Sequence, residues 1–359
     1  MKVLDKYIIK QFLITFFFAV FLLSLIAIII DITEKIDNFL ENNAPLKTII
    51  FDYYVNFVPW IVLLIAPLFV FISVVYFTAR LTMNTEIICM LNGGMSFYRL
   101  IVPYLFTSIL LALGIGYYAH NILPKQNTKR IAFEEVYATK KDNKTYSINY
   151  HFQISKDTFL YTQNYYEESK TGNKFTMETM KNGQIVSRYE ASSIQWDTTK
   201  LKWKMNNYSI RKIQDKDDEL LQGSDTILSL PITPKDFVIQ VYDMETMTTD
   251  KLKQFIHEQK VKGAENTKFY ELERYRRSAV PFSVIILTLI GVALTTHKVR
   301  NGMGIYLVLG LLISGAFIII QQFSGVFATK GNLDPMLGAW IPNFIFAIVA
   351  LLLIYRAPK

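Results

Sequence analysis

Six apolar stretches that lack Asp, Glu, Lys and Arg, interrupted once by a block of about 150 polar residues, constrain the fold of this 359-residue chain more than any other feature. A helix that crosses the ~30 Å hydrocarbon core of a membrane needs roughly 20 apolar residues, and each stretch is of that length. The stretches are residues 11–30, 53–79, 100–123, 278–296, 301–329 and 335–355. They predict an α-helical integral membrane protein with six transmembrane helices, three before the polar block and three after it (a 3+3 arrangement).

The polar block carries the pattern of an inserted all-β domain. Apolar and polar residues alternate from Leu201 to Met205, which is typical of a half-buried strand. Asn182-Gly183 is a strong signal for a two-residue hairpin, and Asp197–Lys200 has the composition of another turn. Many short strands joined by tight turns predict a sandwich or jellyroll.

These patterns divide the chain into four parts. We expect transmembrane helices 1–3 in residues 1–123 and the β-jellyroll in residues 124–247. A helical connector follows in residues 248–277, where Asp250 is placed to cap a helix. Residues 278–359 then hold transmembrane helices 4–6.

The distribution of basic residues predicts the orientation of the chain. The ends of the chain and two of its loops on one side of the predicted membrane carry most of the basic residues near the spans. The short loops on the other side, 33–48 and 330–334, carry only three lysines, and acidic residues accompany them. The positive-inside rule therefore places both termini in the cytoplasm and the inserted domain, about 124–277, outside. Because the net charge of +8 lies mostly beside the spans, we expect contact with lipid headgroups and no nucleic-acid partner. The basic residues on the cytoplasmic side are Lys2, Lys6, Lys10, Arg80, Arg99, Lys298, Arg300, Arg356 and Lys359.

The sequence lacks the common motifs of catalysis. It has no G-x-x-x-x-G-K-[ST] and no H-E-x-x-H, its four histidines are scattered, and Cys89 is its single cysteine. We therefore expect no catalytic residues, no metal and no cofactor. No charged residue lies in the middle of a span, which argues against an internal ion relay. If the protein moves cargo, we therefore expect its energy source in another subunit.

The loop between the second and third spans predicts a short cytoplasmic helix at about 84–94. Thr85 is placed to cap a helix that begins at Glu86, Ile87 and Met90 lie on one apolar side, and Gly93 ends it. A short helix that presents one carboxylate suits docking into a groove on a partner. A helix that lies on the membrane surface is an equally good interpretation of this pattern.

Several segments resemble the lipopolysaccharide-export permeases of the LptF/LptG type. Residues 86–96 are similar to the family's "SEI…M.A.GIS" segment, and residues 4–8 to its opening "LDRYI". Residues 187–203 resemble a stretch of its outer β-jellyroll. Arg277–Pro281 fits its fourth span, and Trp340–Pro342 its sixth. The resemblance covers essentially the whole chain in order.

The resemblance implies a transport function rather than an enzyme. It implies the permease subunit of an ABC-type exporter that takes lipopolysaccharide from the outer leaflet of the bacterial inner membrane. The implied partners are a cytoplasmic ATPase dimer, a second paralogous permease and the periplasmic bridge proteins that lead towards the outer membrane. The inserted domain is then periplasmic. The residues implied in ATPase coupling are Glu86, Ile87, Met90, Gly93 and Arg80.

Basic residues near the outer ends of the spans are candidates for binding the phosphates of the cargo. Arg274, Arg276 and Arg277 precede the fourth span, and arginine is well suited to bidentate phosphate contacts. Lys35, just past the first span, is a further candidate, although Asp31 directly after that span departs from the family pattern, which has a basic residue there in some members. The alternative is that these side chains bind generic headgroups or pair with neighbouring glutamates.

Two other functions remain open. A membrane-anchored scaffold or sensor with a periplasmic β domain would share the layout, but it leaves the Glu86 loop without a task. A membrane enzyme that acts on lipids would need a catalytic constellation, and the sequence shows none.

Overall fold

The computed structural model describes residues 3–138, 145–166, 169–181, 183–213, 218–234, 237, 243–261, 267–296 and 302–357. The chain forms two compact units. The first, which we call the membrane unit, comprises residues 1–139, 244–252 and 268–359. The second, the β unit, comprises residues 140–243 and 253–267.

Six of the described helices are long and apolar enough to cross a membrane. They match the six apolar stretches of the sequence. In chain order, and with three shorter helices included, the helices are α1 (Val3–Glu41), α2 (Leu46–Met83), α3 (Glu86–Asn92), α4 (Phe97–Ala138), α5 (Asp243–Thr246), α6 (Thr249–Val261), α7 (Thr267–Thr295), α8 (Gly304–Lys330) and α9 (Pro335–Arg356).

Three of the long helices continue well beyond their apolar stretches. Helix α1 has 39 residues, which at 1.5 Å per residue gives a length of about 58 Å, far more than the hydrocarbon core requires. It ends where Asn43 adopts a positive φ of 51°. Helix α4 continues to Ala138, and α7 begins at Thr267, before its apolar part. The polar ends of these helices carry the ionic groups described below.

Helix α2 occupies the middle of the membrane unit. Val70, Val74 and Phe77 on α2 pack in one cluster with Phe12 of α1 and Tyr104 of α4. At Gly291 of α7, an added Cβ would lie 2.9 Å from Val74 Cγ1, so glycine allows α7 to approach α2 closely. The membrane unit therefore has a packed interior around α2.

The β unit contains one antiparallel sheet of six strands paired in sequence order. Lys181 pairs with Gln184, which confirms the hairpin predicted at Asn182-Gly183. The turn predicted at Asp197–Lys200 is also present. The Asp197 side chain accepts hydrogen bonds from Thr199 and Lys200, and these bonds hold its pKa below the usual value. The strands are β1 (Thr145–Ser155), β2 (Thr158–Tyr166), β3 (Thr171–Lys181), β4 (Gln184–Asp197), β5 (Lys202–Lys212) and β6 (Glu219–Leu228).

The sheet confirms the expected all-β character but changes its topology. A jellyroll has two sheets with crossover connections, whereas the strands described here form a single meander. Trp203, Phe175 and Tyr165 are fully buried on the sheet, and Trp203 Nε1 donates a 2.8 Å hydrogen bond to the Ile232 carbonyl. Local tight turns are readable from sequence, but the pairing order of distant strands is not, and this explains the difference.

Candidate functional site

Helix α3 is a single seven-residue segment that begins at Glu86, as predicted, but Thr85 does not cap it. Thr85 has a left-handed backbone with φ of 63°, and its hydroxyl donates a 2.6 Å hydrogen bond to the Asn84 carbonyl. An N-cap side chain normally acts from an extended backbone, so the predicted capping role was wrong. The chain instead reaches α3 through a tight turn at Asn84 and Thr85.

The apolar side of α3 packs into the membrane unit. Ile87 is completely buried in the cluster that contains Val74, and Met90 packs against the same cluster. These contacts fix α3 to the helices around it. Ile87 and Met90 therefore position the helix rather than form its outer surface.

Helix α3 ends in a Schellman motif. Gly93 is the C-cap, and Gly94 follows with φ of 89°. The Gly94 amide donates to the Leu91 carbonyl at 3.0 Å, and the Met95 amide donates to the Met90 carbonyl at 3.2 Å. The predicted end of the helix is confirmed, and Gly94 is the residue whose conformation favours glycine.

Two polar contacts, Tyr7 with Glu86 and Asp5 with Arg99, connect the start of α1 with this region. The Tyr7 hydroxyl donates to Glu86 Oε2 at 3.4 Å, and Asn84 Nδ2 donates to Glu86 Oε1 at 3.3 Å. The buried Asp5 carboxylate forms a 2.7 Å salt bridge with Arg99 Nη2 at the start of α4. Arg80 is exposed at the end of α2. The α3 region therefore contacts the start of α1.

At the other end of α1, Lys35 lies between two carboxylates. Its ammonium is 3.0 Å from Asp31 Oδ1 and 3.0 Å from Glu134 Oε1, and it also donates to the Tyr53 hydroxyl. The Tyr53 and Tyr54 hydroxyls donate to Asp31 at 3.0 and 3.1 Å. Asp31, which departs from the family pattern, is thus neutralised within the protein, and so is Lys35.

Arg130 extends this network and was not identified from the sequence. Its Nη1 is 2.9 Å from Glu134 Oε2, and its Nη2 is 2.9 Å from Glu245 Oε2. The guanidinium lies 4.3 Å from the centroid of the Trp60 ring, and Trp60 Nε1 donates to Glu245 at 3.1 Å. The spacing of Arg130 and Glu134 on one helix was a usable signal, but nothing in the sequence relates Glu245 to them.

The Glu245 carboxylate has a raised pKa. Burial raises its pKa above the ordinary value of 4.5, and the attraction of Arg130 opposes part of that shift. The nearby carboxylates Glu273 and Glu134 raise it further. Burial therefore disfavours the charged form of Glu245, even though Arg130 contacts it. Among the residues that the structure describes, no group of three His, Cys, Asp or Glu side chains is arranged to hold a metal ion.

The three arginines before the fourth span have different surroundings. Arg277 is buried, and it donates to the Met244 and Met247 carbonyls at 2.7 Å each and to Glu273 Oε1 at 3.2 Å. All three of its nitrogens are thus bound to the protein. The Arg274 guanidinium lies 5.0 Å from the centroid of the Tyr275 ring. Arg276 lines a cavity and makes no hydrogen bond or salt bridge with the described part of the chain.

Comparison with known proteins identifies the family. A model of the family described as "Lipopolysaccharide export system permease LptF/LptG" matches residues 6–356, nearly the whole chain. The chain belongs to the LptF/LptG family. This confirms the resemblance seen in the sequence. Together with the six apolar helices, it makes the chain a multi-pass protein of the inner membrane.

Two curated members of the LptF/LptG family show a distant similarity. The lipopolysaccharide export system permease protein LptG of Escherichia coli strain K12 is 19% identical over 204 residues, and so is LptG of E. coli O6:H1 strain CFT073. The match covers 56% of this chain and 56% of each relative. The chain therefore spans about half the length of the curated relatives it matches.

Proposed function

We propose that the chain is the permease subunit of an ABC-type exporter of lipopolysaccharide. It takes lipopolysaccharide from the outer leaflet of the inner membrane and passes it to a periplasmic bridge, while a separate subunit hydrolyses ATP. The observation that carries this proposal is the family match over residues 6–356. The six apolar helices and the antiparallel sheet of the β unit support it.

We propose that α3 is the coupling helix and faces the cytoplasm. Ile87, Met90 and Gly93 hold it in place, because the first two pack inward and the third ends the helix. Glu86 and the exposed Arg80 then provide the charged contacts with the ATPase. Both termini lie in the cytoplasm in this arrangement, and the β unit is periplasmic.

A second permease is the proposed membrane partner. Within the most apolar 18 residues of α1, only 6% are buried, compared with 61% for α7. Phe17, Phe18 and Phe21 are among the exposed side chains. Because so little of α1 is covered by its own protomer, its surface is available to lipid, to a partner permease or to both.

Among the four basic residues predicted to bind cargo, the geometry favours Arg274 and Arg276. Lys35 is neutralised by Asp31 and Glu134. Arg277 is committed to two backbone carbonyls and to Glu273. We therefore assign structural roles to Lys35 and Arg277 and propose cargo contacts for Arg274 and Arg276.

Co-purification tests the proposed function. We expect the full chain, purified from its native membrane, to bring down an ATPase, and we expect Glu86→Lys to abolish that association by reversing the charge. Glu135→Lys, which reverses an exposed charge at the far end of α4, is the matched control and keeps the ATPase bound. Absence of any ATPase from the wild-type preparation contradicts the permease and favours the scaffold or sensor. Equal recovery with Glu86→Lys removes Glu86 from the interface.

A further inference from the structure

A cavity of about 390 Å³ lies inside the membrane unit. Its wall is built from α2, α4, α7 and α8 and from the segment at Met244 and Glu245. The volume falls within the roughly 300–1,000 Å³ of pockets that bind small molecules. It is therefore large enough for a polar headgroup but too small for a complete lipid.

Arg276 provides a cation in this cavity that Glu273 attracts through space but that no carboxylate of the described residues contacts directly. It has no hydrogen bond or salt bridge to the described residues, whereas its neighbour Arg277 has three hydrogen bonds. A Cβ added at Gly325 of α8 would clash with Arg276 Nη2. Glycine at this position thus makes room for the guanidinium, and the side chain has a defined place against α8.

Two carboxylates also line the cavity, and both are engaged elsewhere. Glu245 accepts hydrogen bonds from Arg130 and Trp60, and Glu273 accepts one from Arg277. Because each carboxylate already has its own arginine, neither forms a salt bridge with Arg276, and Glu273 acts on Arg276 only through space. The amide side chains of Gln321 and Gln322 complete the polar part of the lining.

We propose that this cavity binds a phosphate group of a lipid headgroup, with Arg276 as the cationic ligand and Gln321 and Gln322 as neutral hydrogen-bond donors. A planar guanidinium that forms bidentate hydrogen bonds suits a phosphate better than a zwitterion or a sugar. This inference rests on the proposed function and makes it more specific. It places the phosphate within one protomer, between α7 and α8.

Photo-crosslinking in the full-length protein tests this site. A photoreactive amino acid at Ile318, which lines the cavity, is compared with one at the exposed Leu311 on the same helix. The probes are bisphosphorylated lipid A and chemically dephosphorylated lipid A in nanodiscs of neutral phospholipid. We expect Ile318 to capture the phosphorylated probe about tenfold more than the dephosphorylated one, as loss of one charge-assisted contact predicts. Leu311 captures both alike.

Variants assign the selectivity to Arg276. Arg276→Gln reduces capture of the phosphorylated probe about tenfold, and Arg276→Lys, which keeps the charge, restores part of it. Arg356→Gln, the same substitution at an exposed position outside the cavity lining, is the matched control and leaves capture unchanged. Gly325→Ala keeps Arg276 but displaces its guanidinium, so this variant also lowers capture of the phosphorylated probe. Alanine is a better helix former than glycine, so the substitution does not weaken α8.

Two results would overturn the proposal. One is equal capture of both lipid probes at Ile318 by the wild-type protein, a comparison that requires no variant to fold. The other is undiminished capture by a folded Arg276→Gln protein. Millimolar inorganic phosphate is added to distinguish a lipid phosphate from free phosphate as the ligand. If it reduces capture of the lipid probe, free phosphate is sufficient for binding. If capture is unchanged, the lipid is required. The Glu86 experiment uses different residues and a different readout, so the permease proposal and the phosphate site can fail separately.

Discussion

Arg130 Nη2 lies 2.9 Å from Glu245 Oε2, although 115 residues separate the two in the chain. Every residue of the sheet lies between them in sequence. The contact fastens the segment that follows the sheet to α4, and the Asn127 amide adds a 3.3 Å hydrogen bond to the Glu245 carbonyl. Arg277 holds the same segment through the Met244 and Met247 carbonyls. The return of the chain to the membrane unit is therefore fixed by polar contacts.

Replacement of Arg130 should destabilise the membrane unit. The Arg130 side chain is only 6% exposed, and Arg130→Gln would leave Glu134 and Glu245 facing each other without their shared cation. Breaking a buried ion pair from one side costs about 3 kcal/mol. Thermal unfolding of the purified protein measures the loss. Arg188→Gln in the β unit is the matched control. It removes two salt bridges of an arginine side chain that is 45% exposed, so it should cost less than about 1 kcal/mol. Equal effects would mean that the Arg130 network does not contribute as a buried pair.

The raised pKa of Glu245 predicts a particular pH dependence. The folded protein holds the Glu245 proton more tightly than the unfolded chain does, because burial outweighs the attraction of Arg130. Its contribution to stability is then greatest at low pH and is lost as the pH rises through the folded pKa. We expect the Tm of the wild type, relative to Glu245→Gln, to increase as the pH is lowered from about 7 to about 5. A relative Tm that falls over this interval would show that Arg130 dominates.

The left-handed backbone of Gly94 predicts a local effect of alanine. Gly94→Ala should cost roughly 1–2 kcal/mol, because an L-residue is strained at a φ of 89°. Gly304→Ala is the control, since both glycines have open space around a new Cβ but Gly304 does not have a positive φ. Thermal unfolding compares the two. If α3 couples to an ATPase, Gly94→Ala should also reduce the amount of ATPase that co-purifies with the chain. Identical unfolding of the two variants would mean that the end of α3 relaxes without cost.

The sequence predicts those features that depend on short stretches of the chain. Hydropathy alone locates the six long helices, because a membrane span is a continuous run of apolar residues. The hairpin at Lys181 and Gln184 follows from two turn residues. The end of α3 follows from Gly93 and Gly94. Each of these is decided within one continuous stretch of the chain, roughly 20 residues for a span and only a few for a turn or a helix end.

The candidate site depends on contacts between distant residues and was only partly predictable. Lys35 and Arg277 were predicted to bind cargo, but in the structure they contact Glu134, Met244 and Met247, which lie far away in the chain. A basic residue near a span has the same appearance in sequence whether it binds a phosphate or a carbonyl. Arg276 differs from Arg277 only in which side of α7 it occupies, and that depends on how the helices pack.

Helix α1 runs from Val3 to Glu41 without a single glycine or proline. Such a helix has no built-in hinge. One unbroken helix therefore carries two polar clusters. At its start, Asp5 and Tyr7 contact Arg99 and Glu86. Near its end, Asp31 and Lys35 join the network of Arg130. The polar clusters at its two ends are therefore joined by one continuous helix, through which a shift at either end acts on the other.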